Sequence, residues 1–379
     1  MKKTLIIGWG RSGKAAGAFL KKLGREYLVF DDNSEVSDLP ALGTIYLSEI
    51  SQIILSPGFD PRCTFIDEAK KRGIEVIGEM ELGLRYVKNP CIGITGTNGK
   101  TTTTLLCAHF LNQSGIKAVS LGNIGTPLTE YLLDPADEVL VLEFSSYQIE
   151  TLKSRSLDAV AILNISPNHL DRYDSFEHYR DTKLELKKFL KEDGLYIEGK
   201  DCTEFVEGVH PENYGIAKRL ASYMGAKSFS LDGFERPEHR LSFVCKKEGV
   251  SFYNDSKSTN VESVIFAVES IDDPIILICG GVHKGFPYAP WKKAFQKRVK
   301  RVYAIGNSAK KIAKELESDF DIIFADSLED AVKKAYLSAE KNDTILLSPG
   351  CSSFDHFKNY EHRGEEFIRI ANNLGSLKL

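Results

Sequence analysis

Cys91-Ile-Gly-Ile-Thr-Gly-Thr-Asn-Gly-Lys-Thr-Thr-Thr-Thr104 is the stretch whose reading decides the fold. A short β-branched, apolar run feeds a glycine-rich turn. Lys100-Thr101 then opens a helix that continues through Leu105, Leu106, Ala108, Phe110 and Leu111. A strand that runs through a glycine turn into a helix is a phosphate cradle. The backbone N–H groups of Gly96, Thr97, Asn98 and Gly99 converge on phosphate oxygens, and the helix N-terminus adds partial positive charge. Lys100 supplies a formal charge, and the Thr101 hydroxyl, followed by Thr102, can hold Mg²⁺. The strict P-loop spacing needs glycine six positions before the lysine; Ile94 stands there, with glycines at 93 and 96 instead.

Upstream, a strand over Thr4–Ile7 enters Gly8-Trp-Gly-Arg-Ser-Gly13 and a helix carrying Ala15, Ala16, Phe19, Leu20 and Leu23. A second strand, Tyr27–Phe30, ends in Asp31-Asp32-Asn33. This is a Gly-x-Gly-x-x-Gly fingerprint with an acidic residue near the expected offset, which says nucleotide without saying which one; NAD is its commonest owner. Further strands are expected at Thr44–Leu47, Gln52–Leu55 and Glu75–Ile77, with a helix near Phe65–Arg72. About ninety residues of doubly wound parallel sheet follow from this pattern, with residues 8–13, 31–33 and 56–58 sharing one crevice at the strands' carboxyl ends. Asn89-Pro90 marks a linker, because the residue before proline is pushed out of helical geometry.

Downstream of the cradle, Lys117–Ser120, Glu138–Glu143 and Ala159–Leu163 read as strands of a second α/β unit. They lead to Gly122-Asn123-Ile124-Gly125, to Glu143-Phe144-Ser145-Ser146 and to the 164–173 loop. A third composition begins after Arg236-Pro237, with strands near Leu241–Val244 and Val250–Tyr253. The polar loop 254–260 opens a helix over Val261–Val268. Strands Ile275–Cys279, Val302–Ile305 and Thr344–Leu347 then deliver glycine, serine and lysine at their ends. The expected architecture is three α/β domains, 1–88, 89–236 and 237–379: a Rossmann-like domain, a P-loop sheet and a second Rossmann-like domain.

Composition narrows the function classes. Among 379 residues, 42% are hydrophobic and 27% charged, ordinary for a soluble globular protein. A net charge of −4 without a basic block argues against nucleic acid. Seven scattered cysteines with no Cys-x-x-Cys read as reduced thiols. The apolar run Leu5–Ile7 is too short for a leader or a membrane span, so the expected location is the cytoplasm.

If Lys100-Thr101 holds a nucleoside triphosphate, the site must neutralise charge and position an acceptor. Glu143 and His169, each following a buried strand, are candidates for the metal shell. Lys257 and Lys284 stand in strand-end loops where they could meet a carboxylate or phosphate. Lys183, by spacing alone, is a solvated helix lysine.

With these residues assembled, the chain resembles the Mur ligases, ATP-dependent amide-forming enzymes of peptidoglycan precursor synthesis. The matches are Gly93-Ile-Thr-Gly-Thr-Asn-Gly-Lys-Thr101, Asn164-Ile-Ser-Pro-Asn-His-Leu-Asp-Arg-Tyr173, Tyr179-Arg-Asp-Thr-Lys183 and Asn254-Asp-Ser-Lys-Ser-Thr-Asn260. The family's P-loop also lacks the strict glycine. Leu142-Glu-Phe-Ser-Ser-Tyr-Gln-Ile-Glu150, Gly280-Gly-Val-His-Lys-Gly285 and the long run Leu347 to Gly364 resemble its D-glutamate-adding branch.

The resemblance implies that ATP phosphorylates the carboxylate of UDP-N-acetylmuramoyl-L-alanine and that the D-glutamate amine attacks the acyl phosphate. Lys100 would grip the β/γ-phosphates. Thr101, Glu143, His169 and Lys183, the last as a carbamate, would serve two Mg²⁺ ions. Asn213, Arg240, Asp255 and Lys257 would contact the nucleotide. Thr259, Lys284, Ser353 and Tyr360 would form the D-glutamate pocket, and Arg11, Ser12, Asp31, Asp32, Ser56, Gly58 and Asn123 would line the UDP-sugar path. A monomer closing its domains over the substrates is implied. The sequence departs from the family at the adenine side, where Gly208-Val-His-Pro-Glu-Asn213 carries Pro211 in place of the first Asn, and at Tyr360, where Phe is frequent. A ligase for another amino acid, or a nicotinamide-dependent oxidoreductase built on Gly8–Gly13, are the alternatives.

Overall fold

The structure is a computed structural model that describes residues 2–44, 46–169, 172–206 and 209–375. Among the described residues fifteen strands form three sheets. The first has β1 (Lys3–Ile7), β2 (Tyr27–Phe30), β3 (Ile50–Leu55) and β4 (Glu75–Gly78) in the order β2-β1-β3-β4, all parallel. The second has β5 (Cys91–Thr95), β6 (Ala118–Gly122), β7 (Val139–Glu143), β8 (Leu157–Ile162) and β9 (Leu190–Glu198) in the order β6-β7-β5-β8-β9, again all parallel. The third has β10 (Ser242–Lys247), β11 (Val250–Asn254), β12 (Ile275–Gly280), β13 (Val299–Ile305), β14 (Ile322–Phe324) and β15 (Thr344–Leu347) in the order β10-β11-β15-β12-β13-β14. Only the β10–β11 pair of that sheet is antiparallel.

The chain packs into two compact units. One comprises residues 1–165 and 177–234, holding the first two sheets; the other comprises 166–176 and 235–379, holding the third. Buried parallel strands are near-continuous apolar runs, which is why β5, β7 and β8 were legible. Alternate residues of β5 feed opposite faces. Cys91 joins Ile6, Ile54, Ile77, Leu140 and Leu142, while Ile92 and Ile94 join Leu106, Phe110, Ile216 and Leu220.

The first core is continuous across two sheets because of the helix Glu79–Leu84, every residue of which is buried. Its two carboxylates are satisfied from the second sheet's connections. Glu79 accepts from Thr129 N and Oγ1, both at 2.7 Å, and Glu81 from Lys153 N, Ser154 N and Ser154 Oγ at 2.8, 3.1 and 2.7 Å. Burial pushes the Glu79 carboxyl above the usual glutamate value, and the Thr129 bonds oppose that. Arg85 completes the Glu81 side with an ion pair at 2.8 Å. Each charged hydrogen bond of this kind stabilises by roughly 1.5–3 kcal/mol.

Among the described residues the expected Thr44–Leu47 strand is not found: its ends belong to the 3₁₀ turns Leu42–Thr44 and Leu47–Glu49, and Tyr46 is 75% exposed. Ile45 lies outside the described residues. β1 has β2 and β3 on its two sides, and this segment connects β2 to β3 without joining the sheet.

Candidate active site

The cradle forms as the sequence dictates. β5 ends at Thr95, and the helix Lys100–Gln113 starts after Gly99, which caps it at φ +82°. A β-carbon on Gly99 would lie 2.2 Å from Asn213 Oδ1, so both its backbone conformation and its neighbour demand glycine. Asn164, at the end of β8, clamps the loop: its carbonyl accepts from Thr97 N at 2.7 Å and its Oδ1 from Asn98 N at 3.0 Å. Thr97 Oγ1 pairs with Tyr179 OH at 3.2 Å, and Thr95 Oγ1 donates to Phe144 O at 2.9 Å. Lys100 Nζ folds back on the loop, donating to Gly96 O at 3.0 Å and Thr97 O at 2.9 Å. Gly96 and Thr101 are buried and Thr102 is half-buried.

Glu143 ends β7, next to β5 in the parallel sheet, and is 1% exposed. Its Oε1 accepts from Asn123 Nδ2 at 2.7 Å, and Asn123 N donates to its carbonyl at 2.9 Å. Its Oε2 is buried with no hydrogen-bond partner. An unpartnered carboxylate oxygen at a buried strand end is suited to a cation. Lys183 is not a surface lysine. It is 2% exposed, on the helix Phe176–Leu184 whose Tyr179, Thr182 and Lys183 form the buried face. Its Nζ has the Tyr179 ring at 4.9 Å. Burial holds its amine well below the usual lysine value, the Lys100 charge adds to that, and Glu143 opposes it. Lys100, Glu143 and Lys183 are therefore electrostatically coupled at one end of the second sheet.

Asn213 is buried on the helix Pro211–Tyr223, beside Gly99. Pro211 is the first residue of that helix, where the missing N–H has no intrahelical partner to lose. Gly208 lies outside the described residues, as do Leu170 and Asp171. His169 is half-buried at φ +55° on the 166–176 segment of the second unit. No cluster of three His, Cys, Asp or Glu side chains occurs among the described residues.

At the carboxyl ends of β1–β3, the three expected segments do meet. Asp31 Oδ2 accepts from Trp9 N at 2.5 Å and Oδ1 from Asn33 N at 2.9 Å, and these bonds hold its carboxyl below the usual range. Ser56 Oγ donates to Gly8 O at 2.7 Å, and a β-carbon on Gly13 would meet Gly8 O at 1.9 Å. Arg11, Asp32 and Gly58 are exposed and Ser12 is half-buried around this turn. Asn123 is held on Glu143 by the two bonds described above.

In the second unit, Lys284 Nζ donates to Thr259 Oγ1 at 3.1 Å, and Lys257 Nζ lies 3.8 Å above the Tyr360 ring. Backbone bonds between Val282 and Ser352 join the Lys284 loop to the buried Ser353. Asp255 is buried, its Oδ2 accepting from the Ser258 and Ser348 hydroxyls and its Oδ1 from Leu241 N at 3.1 Å. Burial pushes its carboxyl up to about 6, against those bonds and the Arg240 charge. Arg240 Nε is buried without a partner.

Three participants escaped the sequence reading: Asn164 as clamp, Asn123 as the partner of Glu143, and Arg363 as a buried guanidinium. The first had a signal, a polar residue directly after a buried strand.

Comparison with known proteins agrees with this geometry. Residues 94–252 match the Mur ligase middle domain and 239–351 the Mur ligase, glutamate ligase domain. UDP-N-acetylmuramoylalanine–D-glutamate ligases from Protochlamydia amoebophila and Caldanaerobacter subterraneus subsp. tengcongensis are 41% and 35% identical, each over 98% of both chains. That of Chlamydia pneumoniae is 33% identical over 100% of both. The fold is shared with the UDP-N-acetylmuramate-alanine ligase of Thermotoga maritima, at TM-score 0.60, 15% identity and 98% and 99% coverage. It is also shared with the MurF ligase of that organism in complex with ADP, at TM-score 0.61, 17% identity and 99% and 96% coverage. From the cradle, its buried carboxylate and lysine, and these full-length matches, the chain belongs to the Mur ligase family.

Proposed function

We propose that the chain is the ATP-dependent ligase that joins D-glutamate to UDP-N-acetylmuramoyl-L-alanine in cytoplasmic peptidoglycan precursor synthesis, acting as a monomer with domain boundaries near residues 88 and 236. The observation that carries the chemistry is the coupling of Lys100, Glu143 and Lys183 at the carboxyl end of one parallel sheet. The choice of D-glutamate is supported by the names of the full-length relatives.

ATP enters the cradle, and Lys100 turns from its own loop carbonyls to the β/γ-phosphates. The alanyl carboxylate attacks the γ-phosphorus, ADP leaves, and an acyl phosphate forms. The D-glutamate nitrogen then attacks the acyl carbon. The carbon–oxygen bond breaks, inorganic phosphate leaves with an oxygen that began on the alanyl carboxylate, and the amine proton passes to solvent. Most of this is positioning and neutralisation.

Thr101, Glu143 and Lys183 would hold Mg²⁺, which when bound neutralises phosphate charge. Burial disfavours the Lys183 ammonium and so favours the free amine, the form that adds CO₂; the resulting carbamate is anionic and can bind Mg²⁺, which an ammonium cannot. His169 is assigned to the same set on the family resemblance. Asn123 orients Glu143 so that Oε2 stays available. Lys284 with Thr259, Ser353 and Tyr360 would receive the amino acid; Arg240, Lys257 and Asn213 would hold the nucleotide. The Gly8–Gly13 turn with Asp31 and Ser56 would hold uridine diphosphate, with Arg11, Ser12, Asp32 and Gly58 around it. Among the described residues no helix is long and apolar enough to cross a membrane.

The test is phosphate release by the purified chain with ATP, Mg²⁺ and UDP-N-acetylmuramoyl-L-alanine against a panel of D- and L-amino acids. Release dependent on D-glutamate is expected. Release with another amino acid, or none, would overturn the assignment.

A further inference from the structure

Arg363 lies in the first turn of the helix Tyr360–Asn373, is 1% exposed, and is among the largest fully buried side chains. Among the described residues no carboxylate is in hydrogen-bond contact with it. Its guanidinium is instead spread over neutral acceptors: Nε donates to Ser256 Oγ at 3.0 Å, Nη2 to Ser256 O at 2.8 Å, and Nη1 and Nη2 both to Cys351 O at 3.2 Å. Ser256 Oγ in turn donates to Tyr360 O at 2.8 Å. Asn254, at the end of β11, reinforces the knot, with Nδ2 donating to Gly364 O at 3.2 Å and Oδ1 accepting from Ser256 N at 3.1 Å. Burial lowers the guanidinium to about 10, with the negative charges of Asp355 and Asp255 opposing.

Removing a charge from water without an anionic partner is unfavourable, and an apolar side chain of similar volume fills such a space without that penalty. What a planar fork supplies, and an apolar side chain does not, is direction: several donors fixed in one plane. The acceptors here are not arbitrary. Ser256 lies between Asp255 and Lys257 on the loop after β11, and Cys351 lies two residues before Ser353 on the loop after β15. One guanidinium thus ties the segment assigned to the nucleotide to the segment assigned to the amino acid, and its own helix begins at Tyr360, beneath the Lys257 ammonium.

We propose that Arg363 is a positioning residue that holds Asp255–Lys257 and Cys351–Ser353 in one register, so that filling either site raises the affinity of the other. This rests on the roles given to those segments under Proposed function. Coupling between two bound ligands is reciprocal, so it can be read from either side.

The experiment uses full-length R363K and R363M. Affinity for a non-hydrolysable ATP analogue is measured with and without D-glutamate, in the presence of UDP-N-acetylmuramoyl-L-alanine, alongside kcat and KM for each substrate. In the wild type, D-glutamate is expected to tighten the analogue by about fivefold or more. In R363M that ratio falls to about one and the D-glutamate KM rises by about tenfold or more, while the KM for the UDP substrate stays within about twofold. R363K falls between. A wild type without coupling, a ratio preserved in R363M, or a loss of kcat that only follows the folded fraction with every KM unchanged, would each overturn the proposal. If the wild type does not ligate D-glutamate, the functional assignment fails, and hydrogen exchange in the ligand-free proteins still decides the matter here. R363M is expected to lose protection at amides 254–258 and 351–353 together; protection retained at both would overturn it.

Discussion

Replacing Asp255 by Asn changes one oxygen for an NH₂ at a fully buried site, and the structure gives the consequence for stability. The Asp255 carboxyl is raised from 3.8 to about 6, chiefly by burial. At about 1.4 kcal/mol per pH unit, that rise corresponds to about 3 kcal/mol. The sign follows from which form the fold prefers. Because the folded value is the higher one, the carboxyl favours folding fully below the unfolded value of 3.8, and that contribution is lost as pH climbs through about 6. Asn does not titrate, and its geometry can be satisfied: Oδ1 accepts from Leu241 N, and Nδ2 donates to the Ser258 and Ser348 oxygens that now donate to Oδ2. The stability of D255N minus that of the parent should therefore rise with pH by about 3 kcal/mol in full, about 1.4 kcal/mol of it between pH 5 and 8. The chain has two tryptophans, and Trp291 is fully buried in the second unit. Urea unfolding followed by Trp291 fluorescence in a Trp9→Phe background isolates that unit's transition. A difference that is flat or falls with pH would refute the reasoning.

Gly99→Ala should cost about 1–2 kcal/mol for the left-handed backbone alone, with a further loss from displacing Asn213. Urea unfolding should show both, and Asn213→Gly should recover only the second. Lys183→Ala should abolish ligation while keeping the fold, and a small added carboxylate should restore part of it; an active alanine variant would exclude the carbamate. Glu143→Gln should lower phosphate release by about a hundredfold or more while nucleotide binding, followed by fluorescence titration, is partly kept.

The strands that position the site were legible because a buried parallel strand has no polar face: 92–94, 139–142, 159–163, 275–279 and 345–347 are apolar runs that stop at Thr95, Glu143, Asn164, Gly280 and Ser348. Lys183 was not legible from its own surroundings. Phe176–Leu184 is polar overall, and only the packing that buries Tyr179, Thr182 and Lys183 tells its inner face from its outer one. The family motif, not the periodicity, pointed there. Thr44–Leu47 had the side chains of a strand but connects β2 to β3 through 3₁₀ turns, which composition does not reveal. The helix Glu79–Leu84 was missed because two glutamates in six residues suggest a wet surface, whereas Glu79 and Glu81 are buried against Thr129 and Ser154. Arg363 went unassigned for a similar reason: its partners are neutral, the hydroxyl and carbonyl of Ser256, 107 residues away, and the carbonyl of Cys351.

The most direct test of the account follows the fate of one oxygen. UDP-N-acetylmuramoyl-L-alanine carrying ¹⁸O in its alanyl carboxylate is turned over with ATP, Mg²⁺ and D-glutamate, and the released phosphate is examined by mass spectrometry. Activation through an acyl phosphate predicts one ¹⁸O in each phosphate released. Phosphate free of ¹⁸O, formed at the same rate as the amide, would contradict it.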